Sequence, residues 1–212
     1  GIERMYGGEH SDPNVMYYMT VYNEPIVQPA EPADVDVDGI VRGIHRISVG
    51  EGDGARAQIL ASGVGVPWAL EAQQLLKDDW GVAADVWSVT SWTELRRDGL
   101  AVDEHNFLHP DEEPRTAYIT QKLAGAPGPV VAVSDFMHAV QDQIRPWVQH
   151  NFATLGADGF GFSDTRAAAR RFFKIDGPSI VVRTLQALAQ EGKVDRGLAA
   201  QAIERYRLHD VT

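Results

Sequence analysis

The sequence predicts an α/β fold in which an open, mostly parallel sheet carries helices on both faces. The first observation is the segment from 57 to 89, where an apolar run, a flexible turn, an amphipathic helix and a second apolar run follow in order. Strand, helix and strand in this order predict a right-handed crossover between parallel strands. The second observation is the apolar run Pro129–Val133, which is typical of a strand buried on both faces.

The helix of this crossover unit is predicted from the spacing of its apolar residues. Residues at i, i+4, i+7 and i+8 fall on one helical face, and here they are Trp68, Ala72, Leu75 and Leu76. Pro67 suits the first turn, where the missing N–H would have no partner within the helix. We therefore expect parallel strands at Gln58–Ala61 and Ala84–Val89 on either side of this helix.

The residues before Gly39 do not show this alternation. Gly1–Tyr6 resembles the end of an amphipathic helix, and Val15–Tyr22 is apolar and aromatic with strong β propensity. Since the second segment has no neighbouring strand nearby, we expect it to complete a sheet contributed by residues upstream of Gly1. Prolines and the acidic residues Asp34–Asp38 then predict a linker without helical or strand structure.

From Gly39 onward, strands and helices alternate. Beyond the strands already named, we expect a helical turn and then strands at His45–Val49 and Asn151–Leu155. An acidic loop is expected at Gly99–Pro114. The remaining helices are expected at Ser91–Asp98, Arg115–Leu123, Phe136–Trp147, Arg166–Phe173, Pro178–Gln190 and Asp195–Tyr206, with Asp135 capping the third of these and Ser163 or Asp164 the fourth.

Composition excludes several classes of protein. The chain is 212 residues long and 44% apolar, with no apolar run long enough to cross a bilayer and no secretory signal order at its start. A net charge of −11 disfavours nucleic acid and anionic membranes as partners. The absence of cysteine excludes disulfides, a thiolate nucleophile and a cysteine-based zinc site, and it fits a reducing cytoplasm.

Polar residues at the carboxyl ends of the presumed parallel strands form a candidate ligand pocket, because doubly wound sheets bind ligands there. Its candidate members are Ser62, Gly63, Ser91, Glu94, Ser134 and Asp135. Backbone N–H groups of the turn at 63–65 could hold a small anion. The turn lacks the third glycine of a dinucleotide fingerprint, so a plain strand-to-helix turn is the favoured alternative. Helix capping is likewise favoured for Ser91 and Asp135.

Other chemistry-bearing residues favour structural roles. His105 and His109 are four apart, as metal ligands on a helix would be, but Pro110 disfavours helix there and a surface loop is the better prediction. No Gly-x-Ser-x-Gly elbow supports serine catalysis. A basic helix face could attract phosphate or an acidic partner, although such faces are usually solvated: Arg166, Arg170, Arg171 and Lys174.

A resemblance to a known family is carried by several strings in one order. These are VMYYMTVYNEP, GIVRGIHRI, ILASGVGV, VWSVTSWTELRRDG, PRTAYITQKL, VAVSDFMHAVQDQIRPWV and LGADGFGFSDTR. Together they resemble the C-terminal part of the homodimeric pyruvate dehydrogenase E1 components, in the transketolase-like, thiamine-diphosphate-dependent superfamily. The resemblance runs from Gly1 to about Tyr206, and the block Asp158–Asp164 is similar to a signature of transketolase C-terminal domains.

The resemblance implies a domain organisation. Residues 1–30 would end a middle, pyrimidine-binding domain, with Val15–Tyr22 as its last strand. Residues 31–38 would be a linker, and residues 39–212 a C-terminal domain with a five-stranded sheet and one antiparallel edge strand. Tyr22, Asn23 and Glu24 would then lie near the active site or the dimer interface.

The resemblance also implies an activity and partners for the whole enzyme. Such enzymes decarboxylate pyruvate on thiamine diphosphate and pass the acetyl group to a lipoyl group of the E2 acetyltransferase. We expect the upstream E1 domains to bind thiamine diphosphate and Mg²⁺, and a second E1 subunit to complete a homodimer. Gly52-Asp53-Gly54 imitates half of the family's metal motif, but no asparagine occurs between Asn23 and Asn106. The chain alone is therefore expected to be catalytically silent.

Two other classes remain open from the sequence. The first is a stand-alone α/β module that binds a small anionic ligand at the strand ends. The second is a flavodoxin-like or NAD-binding domain, which the incomplete glycine pattern disfavours.

Overall fold

The structure, a computed structural model, describes residues 2–9, 11–19, 21–161 and 163–210. Its centre is a five-stranded sheet in the order β1-β3-β2-β4-β5. The strands are β1 His45–Ser48, β2 Arg56–Ala61, β3 Ala83–Ser88, β4 Val130–Val133 and β5 Phe152–Leu155. All neighbours pair in parallel except β1, which is antiparallel to β3 at one edge. The predicted fold class is confirmed.

Helices pack on both faces of this sheet. Those described are α1 Ile2–Tyr6, α2 Val37–Arg42, α3 Gly65–Trp80, α4 Trp92–Leu108, α5 Tyr118–Leu123, α6 His138–Asp142, α7 Arg166–Phe173, α8 Gly177–Gln190 and α9 Gly197–Arg205, together with a 3₁₀ turn at Arg145–Trp147. Among them, none is long and apolar enough to span a bilayer.

The hydrophobic core contains two large clusters, because successive side chains along each strand point to opposite faces of the sheet. In β2, Ile59 packs into a cluster with residues of α3, α8 and α9, whereas Leu60 packs into a second cluster with residues of α4 and α5. Successive side chains of a strand point to opposite faces, so the two clusters lie on opposite sides of the sheet. All four residues of β4 are buried, as the apolar run predicted.

Helix α4 is longer than the sequence predicted. The expected acidic loop at Gly99–Pro114 is wrong as far as Leu108, because α4 continues through Gly99. That glycine does not stop the helix. The indole ring of Trp147 lies where a Cβ on Gly99 would be, so the position requires a residue without a side chain. His105 therefore lies in the last turn of α4, and His109 is its C-cap residue.

The segment after β4 is less helical than predicted. The expected helix Phe136–Trp147 is wrong, since only α6 and the 3₁₀ turn form. Pro146 accounts for the break, because proline lacks an N–H and its ring clashes with the carbonyl one turn earlier. Asp135 is not the N-cap that was predicted. The residue preceding α6 is Met137, which makes no side-chain capping bond.

The starts of α2 and α5 differ from the prediction, whereas α7 spans Arg166–Phe173 as predicted and differs in its N-cap. The linker prediction for Asp34–Asp38 is wrong at its end, because Asp36 caps α2 by accepting the N–H of Gly39 at 2.9 Å. Helix α5 begins at Tyr118 rather than Arg115, since Ala117 is extended. The N-cap of α7 is Thr165, whose hydroxyl accepts the N–H of Ala168.

The apolar segment before the linker is not part of the sheet. No strand is assigned to residues 15–19 and 21–22, and Thr20 of the predicted strand Val15–Tyr22 lies outside the described residues. Met16, Tyr18 and Val21 are strongly exposed. A strand needs a hydrogen-bonded neighbour, so a sheet formed with residues upstream of this chain stays a prediction.

Candidate functional site at the strand rim

The carboxyl ends of β2, β3, β4 and β5 meet at one edge of the sheet, because these strands are parallel. We call the residues that follow these strands the rim: 62–64, 89–91, 134–135 and 156–158. The rim contains the sequence-predicted residues of the candidate pocket except Glu94, which lies in the first turn of α4.

Two rim hydroxyls are buried and bonded to each other. The hydroxyl of Ser62 donates to Oγ of Ser134 at 3.0 Å, and the indole N–H of Trp92 donates to Oγ of Ser62 at 3.0 Å. The backbone N–H of Phe136 donates to Oγ of Ser134 at 3.1 Å. Because both hydroxyls already have partners inside the fold, they join β2, β4 and α4 rather than face a ligand.

Tyr22 covers the turn that was a candidate for anion binding. Its hydroxyl donates to Oδ1 of Asp135 at 3.3 Å. Gly63 has φ of +53°, and a Cβ there would lie 2.6 Å from the Tyr22 oxygen, so glycine is required both by the backbone and by this contact. Burial and the Asp135 carboxylate raise the pKa of Tyr22, against an opposing hydrogen bond from the backbone of Val64. An anion at this turn would have to displace the Tyr22 hydroxyl.

The next two residues are held by helix α7. Oε2 of Glu24 lies 2.5 Å from Nη2 of Arg170 and 3.3 Å from Nε of Arg166. Arg166 also donates to Oδ1 of Asn23 at 3.0 Å, and the Arg170 guanidinium lies 4.7 Å from the ring centroid of Trp68. Glu24 and Arg170 are partly buried, with side-chain exposures of 28% and 24%. These contacts fix residues 22–24 on the rim and on helix α7. We call the residues that make them the clamp: Tyr22, Asn23, Glu24, Arg166 and Arg170.

Ser91 and Glu94 serve their own helix. Oγ of Ser91 accepts the N–H of Glu94 at 3.1 Å, which confirms the predicted N-cap. The Glu94 carboxylate pairs with Nη1 of Arg97 at 2.6 Å on the exposed face of α4. The structure therefore brings Ser62, Ser134 and Asp135 close to the clamp and leaves these two residues with local roles.

Among the described residues, those that the sequence offered for metal binding do not form a magnesium and diphosphate site. The Gly52-Asp53-Gly54 turn precedes β2, so it lies at the edge of the sheet opposite the rim. His105 and His109 stack with ring centroids 4.2 Å apart, and Nδ1 of His109 contacts the carbonyl oxygen of His105. Within the described ranges, no group of three or more His, Cys, Asp or Glu side chains could hold a metal ion.

Local sequence patterns could not find the clamp's pairings. Tyr22 and Asp135 are separated by 113 positions, and Glu24 and Arg170 by 146. One clue was present, because Arg166 and Arg170 are spaced to lie on the same face of a helix and such a face can take an acidic partner. That partner is Glu24 of the same chain.

We predict that Glu24→Gln loosens residues 15–30 without unfolding the sheet domain. The substitution keeps the size of the side chain but removes the charge that both arginines face. Losing this half-buried pair is expected to cost about 1 kcal/mol, which corresponds to roughly fivefold faster proteolytic cleavage within the segment.

Limited proteolysis followed by mass spectrometry would measure this change, with exposed Glu31 replaced by glutamine as the matched control. Equal cleavage rates in the two variants would contradict the role assigned to Glu24. A lower midpoint of urea denaturation for the sheet domain would contradict the claim that the effect is local.

The sheet order, with its antiparallel edge strand, defines an open α/β domain, and residues 22–24 of the same chain contact its rim and helix α7. The family model described as the transketolase-like TK C-terminal domain matches residues 43–176, and the chain belongs to this family. The resemblance stated from the sequence is confirmed at this level.

Individual proteins similar to this chain include two pyruvate dehydrogenase E1 components and a solved transketolase. The chain is 55% identical to a pyruvate dehydrogenase E1 component of Mycolicibacterium smegmatis and 53% identical to that of Corynebacterium glutamicum, in both cases over 100% of this chain and 23% of the relative. It thus spans 23% of the length of these relatives. A solved transketolase from Campylobacter jejuni matches with a TM-score of 0.50 and 20% identity, covering 74% of this chain and 20% of that one, which supports the fold alone.

Proposed function

We propose that the chain is the C-terminal part of a pyruvate dehydrogenase E1 component. High identity along the whole chain to proteins of that name, together with the matching C-terminal domain family, supports this assignment. The whole enzyme would use thiamine diphosphate and Mg²⁺ to decarboxylate pyruvate oxidatively, and it would pass the acetyl group to the lipoyl group of the E2 acetyltransferase. It would link glycolysis to acetyl transfer as a homodimer within a multienzyme complex of the cytoplasm.

The contribution of this chain is structural. The observation that carries this proposal is the clamp, where α7 and the rim hold Tyr22, Asn23 and Glu24. We propose that residues 1–30 end the preceding pyrimidine-binding domain, that 31–38 connect the domains and that 39–212 form the C-terminal domain. The clamp then fixes the end of one domain against the next, close to the active site or the dimer interface.

The reacting groups would come from elsewhere in the enzyme. The hydroxyls of Ser62 and Ser134 are bonded to each other, the clamp arginines are paired, and the described residues contain no group of three or more carboxylates or histidines that could hold a metal ion. Thiamine diphosphate and Mg²⁺ would therefore be bound by upstream domains. The exposed side chains Met16, Tyr18 and Val21 support this view, because an apolar segment of this kind is usually covered by a partner surface.

The proposal predicts different behaviour for the full gene product and for the chain alone. With thiamine diphosphate, Mg²⁺ and pyruvate, the full gene product should release CO₂ and acetylate a purified lipoyl domain of E2. In calorimetric titrations, the 212-residue chain should bind thiamine diphosphate and Mg²⁺ with a Kd no tighter than about 1 mM.

Each part of this experiment can contradict one part of the proposal. A full gene product that leaves pyruvate untouched but accepts another 2-oxo acid would overturn the substrate assignment. Micromolar binding of the cofactor by the chain alone would overturn its structural role. Circular dichroism of the isolated chain is the control, since an unfolded chain would also fail to bind.

A further inference from the structure

A cavity of about 380 Å³ lies against one face of α8, and none of its described lining residues belongs to the rim or the clamp. We call it the α8 cavity. Its apolar wall comes from the end of β5, from α8, from α9 and from the segment after α9, through Leu155, Val182, Ile203 and Leu208. Volumes of this size are typical of sites that enclose a small organic molecule, about 300–1,000 Å³. The cavity plays no part in the function proposed above.

Two polar atoms in the wall of the α8 cavity lack partners. Oγ of Ser179 and Nε of Arg183 are both buried and make no hydrogen bond in the part of the chain that the structure describes. Ser179 is 4% exposed, so water reaches it poorly. The two residues are one helical turn apart, which places them on the same face of α8. A buried donor without an acceptor destabilises the fold, and a bound acceptor would relieve that cost.

The charge of the lining favours an acidic ligand. Arg183 and Lys174 line the cavity, and no aspartate or glutamate is among its described lining residues. No ion pair of either cation is formed within the described residues. Nη1 of Arg183 contacts only the neutral Oε1 of Gln186, at 3.4 Å. His138 also lines the cavity, but its Nδ1 is engaged by Asp158 at 2.6 Å.

We propose that the α8 cavity binds a small organic acid with a carboxylate head and an aliphatic body. The carboxylate accepts from Nε of Arg183 and from the hydroxyl of Ser179, and Lys174 adds positive charge at the same wall. The aliphatic chain lies against Leu155, Val182 and Ile203. A guanidinium suits a carboxylate because its planar donors match the two oxygens. The apolar wall disfavours inorganic phosphate, which has no body to fill the space.

Octanoate is the probe for this proposal. Octanol is a matched ligand that has the aliphatic chain but no charge, and inorganic phosphate is one that has negative charge but no aliphatic chain. Calorimetric titration of the full gene product should give saturable binding of octanoate, and weaker binding of the other two. Arg183→Gln should weaken octanoate binding at least about tenfold, because a charge-assisted hydrogen bond is lost. Arg196→Gln, at an exposed arginine outside the cavity, should leave it unchanged.

Ser179→Ala gives an independent test if Arg183→Gln fails to fold. Because Oγ of Ser179 has no partner among the described residues, its removal should keep or raise the Tm of the ligand-free protein while reducing the Tm increase caused by octanoate. Equal octanoate affinity in the parent and both variants would overturn the proposal, as would equal binding of phosphate or the absence of saturable binding. None of these outcomes depends on pyruvate dehydrogenase activity, so the two proposals fail separately.

Discussion

Asp85→Ala is expected to lower the free energy of unfolding by about 3–5 kcal/mol, since removing one partner of a buried charge network leaves the others unpaired. Asp85 lies in β3 and is 3% exposed. Its Oδ1 accepts the N–H of Gly50 and an Nη2 hydrogen of Arg56, each at 2.8 Å, and Arg46 lies 3.7 Å from its Oδ2. The carboxylate therefore joins β1, the following loop and β2 to β3, the strand that lies between β1 and β2.

Two further variants separate the charge from the hydrogen bond. Asp85→Asn keeps an oxygen that can accept from Gly50, so it should cost less than Asp85→Ala. Asp53→Ala, at an exposed position of the same loop, is the matched control and should stay within about 0.5 kcal/mol of the parent. Urea denaturation measures all three. A loss for Asp85→Ala no larger than that of the control would show that the network does not stabilise the edge of the sheet.

The helices and strands predicted best are those whose apolar residues recur at regular spacing, because one face of the element is buried in the core. Trp68, Ala72 and Leu76 were placed on one face of a helix from spacing alone, and all three are buried in the core. The strands were predicted from short apolar runs, and the crossover rule then fixed β2 and β3 as parallel neighbours. Burial imposes these patterns locally, so they can be recognised without any knowledge of the partner.

The elements predicted badly depend on contacts that local patterns do not contain. The end of α4 was misplaced because the acidic stretch from Gly99 was interpreted as a loop, whereas the helix continues through Gly99 and Trp147 requires the small residue there. Asp135 was assigned to a helix cap because aspartate commonly caps helices, but its partner is the hydroxyl of Tyr22. In both cases the residue that determines the structure, Trp147 or Tyr22, is distant in sequence. The residues around Gly99 and Asp135 are equally compatible with the wrong assignment.

The candidate site also contains features that the sequence predicted and contacts that it did not. The sequence located the rim, because parallel strands bring their carboxyl ends to one edge, and it identified Ser91 as a cap. It did not reveal that Tyr22 covers Gly63 or that Ser62 and Ser134 bond to each other. These contacts favour a structural role for the rim over an anion site, because the side chains of Ser62, Ser91, Ser134 and Asp135 already have partners within the chain.

Gly99→Ala is expected to lower the free energy of unfolding by about 3 kcal/mol, although glycine to alanine in a helix interior normally stabilises by about 1 kcal/mol. The new Cβ would overlap the indole ring of Trp147. That ring cannot shift freely, because its N–H donates to Oδ2 of Asp103 at 3.0 Å and the Trp147 carbonyl accepts from Thr120 at 2.5 Å. Gly125→Ala, where a Cβ meets nothing within 4 Å, is the matched control.

A double-mutant cycle identifies the cause of this loss. If the overlap with Trp147 is responsible, Gly99→Ala should become neutral or stabilising in a Trp147→Ala background, because the ring is gone and only the helix propensity of alanine remains. Denaturant midpoints of the four proteins give the coupling energy. An undiminished loss in the Trp147→Ala background would instead place the cause in the backbone of α4, and the packing argument for the length of this helix would be wrong.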